Sequence, residues 1–275
     1  MSNLLARFLT AVVLVPFLLL AIFWENPIAW WAIVFAATGL GLREFFNMTL
    51  AKQPVSERAI GVVFGLLFAG TLYWDESSGL AVSLAFALVT VGAFLFYLFR
   101  YGEIESVAPR VSALLAGIFY VSLLTFVALL KKRLPSGGAW VAIVLSCTWF
   151  SDTGAYFAGR FLGPTFPTKL APIVSPKKTI VGGLGGLLGS IGALLLAKLW
   201  YLPTLTYVDV LLVAIPANLL GQMGDLCESL LKRSTGVKDS GTLLPGHGGM
   251  LDRVDAVMFA APWVYAYARL FAGKL

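Results

Sequence analysis

Long apolar runs separated by short polar loops dominate the pattern of this chain. Each run holds close to the ~20 apolar residues that a helix needs to cross a bilayer. The pattern therefore predicts an all-α integral membrane protein with about nine transmembrane helices. The predicted spans are residues 5–24, 28–46, 59–74, 80–99, 111–130, 139–158, 180–201, 208–226 and 254–271.

Composition agrees with this prediction. The 275-residue chain is 59% hydrophobic and 12% charged, with a mean hydropathy of +0.87. Soluble domains are about 45–50% apolar and about 25% charged, so a soluble domain is excluded. One histidine and two widely separated cysteines do not supply a zinc site. The net charge of +6 fits basic cytoplasmic loops and would suit an anionic lipid or nucleotide, and we expect no nucleic-acid partner.

The Lys and Arg residues predict an orientation. They are concentrated at the N-terminus and in the loops after the second, fourth, sixth and eighth spans. Because cytoplasmic loops are enriched in these residues, the N-terminus is predicted to lie in the cytoplasm and the C-terminus outside. The two long polar loops, which follow the sixth and eighth spans, then face the cytoplasm. One loop breaks the rule, since Lys131, Lys132 and Arg133 would face outward.

The distribution of polar residues divides the chain into two parts. Residues 1–138 are predicted to form an N-terminal transmembrane scaffold of about five helices, without a polar cluster. Glu44 is the one acid predicted within these spans, and the neighbouring Arg43 suggests an interfacial position. Residues 139–275 are predicted to form the catalytic transmembrane region, with a polar active site on the cytoplasmic side.

Acidic residues near the end of the eighth span and the start of the ninth predict a metal site. Asp225, Glu228 and Ser229 have i, i+3, i+4 spacing, and Asp252 and Asp255 have i, i+3 spacing, so each set shares a helix face. Oxygen ligands favour a hard cation such as Mg²⁺, which binds one or two carboxylates together with substrate phosphates. The alternative for the last two is that acids are favourable at a helix start.

Basic residues and glycines between these acids predict phosphate binding. The cations can neutralise a triphosphate, and a glycine-rich loop lets backbone N–H groups approach phosphate oxygens. The alternative for the bases is the ordinary positive charge of a cytoplasmic loop. The histidine can bind a phosphate or transfer a proton. The residues concerned are Lys232, Arg233, Lys238, His247 and Arg253.

A second polar block lies between the sixth and seventh spans. Asp152 falls late in the sixth span, where a carboxylate requires a partner or a cavity. Ser175, Lys177, Lys178 and Thr179 precede the seventh helix, whose positive N-terminal end favours phosphate. The alternative is a basic loop followed by a helix cap.

Four glycines follow this block, at the start of the seventh span. They are Gly182, Gly185, Gly186 and Gly189. Small residues at this spacing allow two membrane helices to approach closely. We therefore interpret these glycines as helix-packing residues and not as ligand contacts.

The segment from residue 229 to residue 255 resembles the signature of the phosphatidate cytidylyltransferases, also called CDP-diacylglycerol synthases. The resemblance extends upstream to about Ser146 and includes Asp152, Arg160 and residues 175–179, whereas Val181 stands where members often carry Glu or Gln. The fixed positions of the signature are all present: Ser229, Lys232, Arg233, Lys238, Asp239, Pro245, His247, Gly248, Gly249, Asp252, Arg253 and Asp255.

The resemblance implies a reaction in phospholipid biosynthesis. CTP and phosphatidate would give CDP-diacylglycerol and pyrophosphate, with one or two Mg²⁺ ions, in a homodimer of a bacterial inner membrane. The implied catalytic residues are Asp225, Asp252 and Asp255, which are also the implied metal ligands, together with Lys238 and Arg253. The implied substrate-binding residues are Asp152, Ser175, Lys177, Lys178, Thr179, Lys232, Arg233 and His247.

Two other functions are compatible with a polar site in a membrane protein. A CTP-dependent polyprenol or phytol kinase would share the nucleotide and the membrane setting, but it would transfer the γ-phosphoryl group to an alcohol. A cation or phosphate transporter would be expected to have inverted repeats and charges near the middle of its spans. The polar residues here instead lie in two loops on one predicted side.

Overall fold

The computed structural model describes residues 16–77, 79–242 and 248–271. These residues are mostly helical: residues 16–23 form a helical segment, and the labelled elements follow it in chain order. The helices before the polar loop are α1 (Pro27–Thr49), α2 (Val55–Trp74), α3 (Leu80–Phe99), α4 (Val107–Ser122), α5 (Thr125–Arg133) and α6 (Gly137–Phe161). The remaining elements are β1 (Lys169–Ala171), β2 (Ser175–Thr179), α7 (Ile180–Trp200), α8 (Tyr207–Ser234) and α9 (Leu251–Leu270).

Six helical segments of the described residues are long and apolar enough to cross a membrane. The fold class is therefore confirmed as a helical integral membrane protein. α6 and α9, which carry Asp152, Asp252 and Asp255, are not among the six, and that all nine predicted spans cross the membrane stays a prediction. The six segments are Pro27–Thr49, Val55–Trp74, Leu80–Phe99, Ile104–Arg133, Ile180–Trp200 and Tyr207–Ser234.

Local sequence signals explain where several helices begin. The Asn26 side chain accepts the Ile28 N–H at 2.9 Å, and Pro27 occupies the first position of α1, where a missing N–H costs nothing. Thr206 and Asp209 form a reciprocal capping box at the start of α8. These caps satisfy amide groups that have no partner within their own helix.

A two-stranded antiparallel hairpin interrupts the helices between α6 and α7. β1 pairs with β2, with Lys169 opposite Thr179 and Ala171 opposite Ser175. These strands were not predicted from the sequence, because a run of five residues such as Ser175–Thr179 is too short to show a reliable alternation. The hairpin presents the predicted phosphate-binding residues directly before α7.

Glycines bring α6 and α7 into close contact, as predicted. A Cβ atom on Gly185 would lie 2.3 Å from the Cβ of Ala158 and 2.6 Å from the carbonyl oxygen of Gly154. A Cβ on Gly189 would lie 2.2 Å from the carbonyl oxygen of Phe150. No side chain fits at such distances, so the packing interpretation is confirmed for Gly185 and Gly189. Gly182 also lines a cavity beside α7, so its exclusion as a ligand contact stays a prediction.

The two predicted parts of the chain pack against each other. Tyr120 of α4 meets Phe259 of α9 with ring centroids 6.0 Å apart, and Phe126 of α5 meets Tyr265 of α9 at 5.5 Å. α9 therefore lies against the N-terminal helices as well as against α8. The division at residue 138 stays a prediction.

The basic cluster that breaks the charge rule binds the C-terminal ends of helices. Lys131 Nζ donates to the carbonyl of Ile22 at 2.6 Å, and Lys132 Nζ donates to the carbonyl of Tyr73 at 3.0 Å. Arg133 donates to the carbonyl of Asp75. Cations at the C-terminal ends of helices satisfy free carbonyls and interact favourably with the helix dipole. These charges therefore have a structural role that a count of loop charges does not include.

Candidate active site

A cavity of about 610 Å³ lies between α6, β2, α7 and α8. It brings together residues from the two polar blocks, which are separated by more than forty positions in the chain: Lys178 and Asp225, for example, are 47 residues apart. Of the predicted site residues, the cavity is lined by Asp152, Lys177, Lys178, Thr179 and Asp225.

Asp225 and Lys178 form an ion pair in this cavity. The Asp225 side chain is 32% exposed and the Lys178 side chain 31%, so both remain open to the cavity. The other oxygen of Asp225 lies 3.4 Å from Ser229 Oγ, as the i, i+4 spacing predicts. A carboxylate and an ammonium group side by side can bind a cation and a phosphate respectively.

A second cluster of charges lies between α8 and α9. Lys232 Nζ lies 2.6 Å from Glu228 Oε2 and 2.6 Å from Asp252 Oδ1. The other Asp252 oxygen accepts the N–H groups of Ser240 and Gly249, each at 2.9 Å. Asp252 therefore orders the loop before α9 and ties it to α8.

Glu228 faces this second cluster and not the cavity. It is fully buried, its Oε2 accepts from Lys232, and its Oε1 has no hydrogen-bond partner within the described part of the chain. The prediction that Glu228 shares a helix face with Asp225 and Ser229 describes the spacing correctly. The carboxylates of Asp225 and Glu228 nevertheless have different surroundings.

The acids form a suitable donor set for Mg²⁺ only together with a substrate. Among residues 16–77, 79–242 and 248–271, no group of three or more His, Cys, Asp or Glu side chains is arranged to hold a metal ion. Mg²⁺ requires only one or two carboxylates when phosphate oxygens and water complete its shell. Asp152 and Asp225, which both line the cavity, fit that requirement.

Comparisons with known proteins identify the family. The Cytidylyltransferase family matches residues 5–271 of the chain. The chain belongs to this family. It is 34% identical to a phosphatidate cytidylyltransferase of Brucella suis, over 99% of this chain and 96% of that protein. It is also 34% identical to a phosphatidate cytidylyltransferase of Synechocystis, over 84% and 85%, and 32% identical to one of Staphylococcus saprophyticus, over 81% and 83%.

Several predicted residues of this cytidylyltransferase family member lie outside the cavity lining. Ser175 begins β2 opposite Ala171. Arg233 is exposed and donates to the carbonyl of Val237 at 3.0 Å. Lys238 is also exposed, in the loop after α8. His247 lies outside the described residues.

Two further predicted residues belong to the first turns of α9. Arg253 is exposed, whereas Asp255 is partly buried and accepts the N–H of Ala256 at 2.7 Å. Ala256 lines the cavity, so this part of α9 borders it. The substrate and metal roles of these residues stay predictions.

Thr179 has a structural function at the cavity wall. Its Oγ1 accepts the N–H of Gly182 at 3.1 Å and caps the N-terminus of α7. The alternative interpretation of Thr179 as a helix cap is therefore confirmed. The N–H of Ile180, the first residue of α7, donates to the carbonyl of Thr168 at 3.0 Å, so two of the first amide groups of the helix already have acceptors. The predicted phosphate binding by the start of α7 stays a prediction.

Uncharged polar side chains that line the cavity were not among the predicted site residues: Ser151, Asn218 and Gln222. Asn218 Nδ2 donates to Ser151 Oγ at 2.7 Å and to Ser190 Oγ at 2.9 Å. Gln222 Nε2 donates to Asn218 Oδ1 at 2.7 Å and to the carbonyl of Gly183 at 3.0 Å. The sequence signal that could have indicated them is the pair of side-chain amides, Asn218 and Gln222, inside the predicted apolar span 208–226. Polar groups buried in such a span require hydrogen-bond partners.

Proposed function

We propose that this chain transfers the cytidylyl group of CTP to phosphatidate, giving CDP-diacylglycerol and pyrophosphate for phospholipid synthesis. The observation that carries the proposal is the cavity in which Lys178 and Asp225 from the two polar blocks meet. The Brucella suis relative, which is 34% identical along almost the whole chain, is named a phosphatidate cytidylyltransferase, and that name describes the same reaction.

The proposed reaction needs no nucleophile from the protein. A phosphate oxygen of phosphatidate, which is already ionised, attacks the α-phosphorus of CTP. The bond from the α-phosphorus to the bridging oxygen of the β-phosphate breaks, and pyrophosphate leaves with both electrons of that bond. The protein contributes by holding the two anionic substrates in line and by balancing their charge.

The basic residues divide this work between the two substrates. Lys177 and Lys178 at the cavity are proposed to hold the lipid phosphate, next to the start of α7. Lys232, Lys238 and Arg253 are proposed to balance the triphosphate. Lys232 is buried between Glu228 and Asp252, so its proposed contribution is through its charge and not through direct contact with the triphosphate.

Asp225, Asp252 and Asp255 are proposed to hold one or two Mg²⁺ ions. The Asp225 side chain is 32% exposed and lies beside Ser229. Within the described residues, Oδ1 of Asp252 accepts one hydrogen bond, from Lys232. Bound Mg²⁺ supplies positive charge that stabilises the developing pyrophosphate. The residues themselves orient the phosphates and exclude competing acceptors.

The membrane setting follows the same proposal. We propose a bacterial inner-membrane enzyme whose active site faces the cytoplasm, with the N-terminus inside, the C-terminus outside and two copies forming a homodimer. The supply of CTP in the cytoplasm and the basic loops on that predicted side support this orientation. Native mass spectrometry of the detergent-solubilised protein measures the number of copies.

The position of the label from CTP tests the proposed reaction. Purified protein receives phosphatidate, Mg²⁺ and CTP labelled either in the cytosine ring or in the γ-phosphate. We expect the ring label in the lipid fraction and the γ-label in free pyrophosphate. In a parallel reaction with polyprenol or phytol in place of phosphatidate, transfer of the γ-label to that alcohol would show the kinase instead. Movement of phosphate or cations into sealed vesicles without turnover would show a transporter.

A further inference from the structure

Glu44 connects the N-terminal helices to the active-site segment. It belongs to α1, its side chain is buried with 9% exposure, and the sequence analysis assigned it only an interfacial position. Its Oε1 accepts the N–H of Met250 at 2.9 Å, and its Oε2 accepts the N–H of Leu251 at 2.9 Å. Both amides lie 206 or 207 residues further along the chain.

These two amides belong to the start of α9, the helix that carries Asp252 and Asp255. Met250, the residue before the helix, makes no capping hydrogen bond with its own side chain in the described structure. Free amides at a helix start require acceptors, and negative charge is favourable there. Glu44 therefore caps α9 from a different helix.

The hydroxyl group of Ser240 bridges the carboxylates of Glu44 and Asp252. Ser240 Oγ is 2.9 Å from Glu44 Oε2 and 3.0 Å from Asp252 Oδ2. The hydroxyl can donate its proton to one of the two carboxylates while the Ser240 N–H donates to Asp252. Glu44 and Asp252 are thus joined through one residue of the signature segment.

Glycines on both sides make room for the Glu44 carboxylate. A Cβ atom on Gly241 would lie 2.6 Å from Glu44 Oε1, and a Cβ on Gly249 would lie 2.4 Å from Glu44 Oε2. Any other residue would displace the carboxylate from its three donors. Gly241 and Gly249 are therefore required by the close approach of Glu44.

We infer that Glu44 is a positioning residue that holds the start of α9, and with it Asp252, in place for cytidylyl transfer. It acts through the Met250 and Leu251 amides and Ser240, without contact with a substrate. The kinetic part of this inference rests on the proposed function. The capping part can be measured without any turnover.

The test compares Glu44→Gln with Glu76→Gln in the full-length protein in detergent. Glu76 is a suitable control because its side chain is 81% exposed and it follows the C-terminal end of α2, whereas Glu44 belongs to α1. We expect hydrogen exchange at the Met250 and Leu251 amides to become at least about tenfold faster in Glu44→Gln only. We also expect its kcat to fall at least about tenfold, with KM for both substrates changed by less than about threefold.

A second pair of variants keeps the test independent of Glu44 itself. Gly241→Ala places a methyl group against the carboxylate, whereas Gly192→Ala places one in open space. We expect Gly241→Ala to reproduce the faster exchange and lower kcat, and Gly192→Ala to behave as the wild type. If Glu44→Gln does not fold, the comparison of Gly241→Ala with Gly192→Ala decides whether Glu44 positions the start of α9.

The outcomes separate the two proposals. Unchanged exchange and kcat in both Glu44→Gln and Gly241→Ala would overturn the inference. Faster exchange with unchanged kcat would reduce Glu44 to a structural cap and overturn its positioning role. A wild-type protein without transferase activity would overturn the proposed function, while the exchange data would still decide whether Glu44 caps α9.

Discussion

Lys232 Nζ of α8 lies 2.6 Å from Asp252 Oδ1 of α9. The same ammonium lies 2.6 Å from Glu228 Oε2, and both Lys232 and Glu228 are buried, with 8% and 0% exposure. A buried cation between two carboxylates is stable only while its partners are present. This contact therefore fixes α8, which carries Asp225, relative to α9, which carries Asp252.

Removal of this buried cation should destabilise the fold. Lys232→Met leaves Glu228 and Asp252 without their shared counter-charge, and we expect a loss of about 3–5 kcal/mol. Thermal unfolding in detergent measures the change. The double variant Lys232→Met/Glu228→Gln should recover part of the loss, because only Asp252 then lacks a counter-charge. Equal stability of Lys232→Met and the wild type would contradict this account.

Loss of the proposed metal ligands should stop turnover in protein that still folds, because Glu228 remains as the counter-charge of Lys232 in Asp252→Asn. We expect Asp225→Asn and Asp252→Asn each to lower kcat at least about hundredfold, because a carboxamide is a weak ligand for Mg²⁺. Rates at rising Mg²⁺ concentration and thermal unfolding provide the measurements. Glu103→Gln, at an exposed position before α4, is the matched control and should retain full activity. Normal activity in both aspartate variants would remove the metal assignment.

The glycine contact between α6 and α7 should not tolerate a larger side chain. Gly185→Leu would drive its side chain into Ala158 and the Gly154 carbonyl, so we expect it to separate the helices and lower the thermal unfolding temperature by several degrees. Gly192→Leu on the same helix has open space around its Cβ position and serves as the control. A similar unfolding temperature for the two variants would show that the α6–α7 contact does not limit stability.

Lys132 of α5, which binds the C-terminal end of α2, should contribute to stability through a carbonyl and two rings. Lys132 Nζ donates to Tyr73 O and lies 4.6 Å from the Tyr73 ring centroid and 4.7 Å from that of Trp74. We expect Lys132→Met to cost about 1–3 kcal/mol. Glu76→Gln should cost under about 1 kcal/mol, since its ion pair with Lys132 is 3.5 Å long and exposed on the Glu76 side. Unfolding in detergent compares the two, and a larger effect of Glu76→Gln would contradict the carbonyl cap.

Local and periodic features of the fold could be predicted from the sequence. Apolar runs of membrane length gave six spans that the structure supports, and the i, i+4 spacing placed Ser229 beside Asp225. Small-residue spacing correctly predicted the contact around Gly185. Each of these depends on residues close together in the chain or on one helix.

Contacts between distant residues could not be predicted in this way. Nothing in the local sequence joins Glu44 to Met250, or shows that Lys178 pairs with Asp225. The predicted orientation leaves Lys131, Lys132 and Arg133 as exceptions to the charge rule, which counts charges without their partners. Here the partners are carbonyl groups at helix ends, which only the folded chain brings close.

Pyrophosphate release by the purified, detergent-solubilised protein tests the central claim most directly. The protein receives CTP, phosphatidate and Mg²⁺, with each component omitted in turn and with Asp225→Asn as the inactive reference. The account predicts release only when all three are present, in equal amount to a cytidine-containing lipid, and almost none from Asp225→Asn. Release that does not require phosphatidate, or folded wild-type protein that releases none, would contradict it.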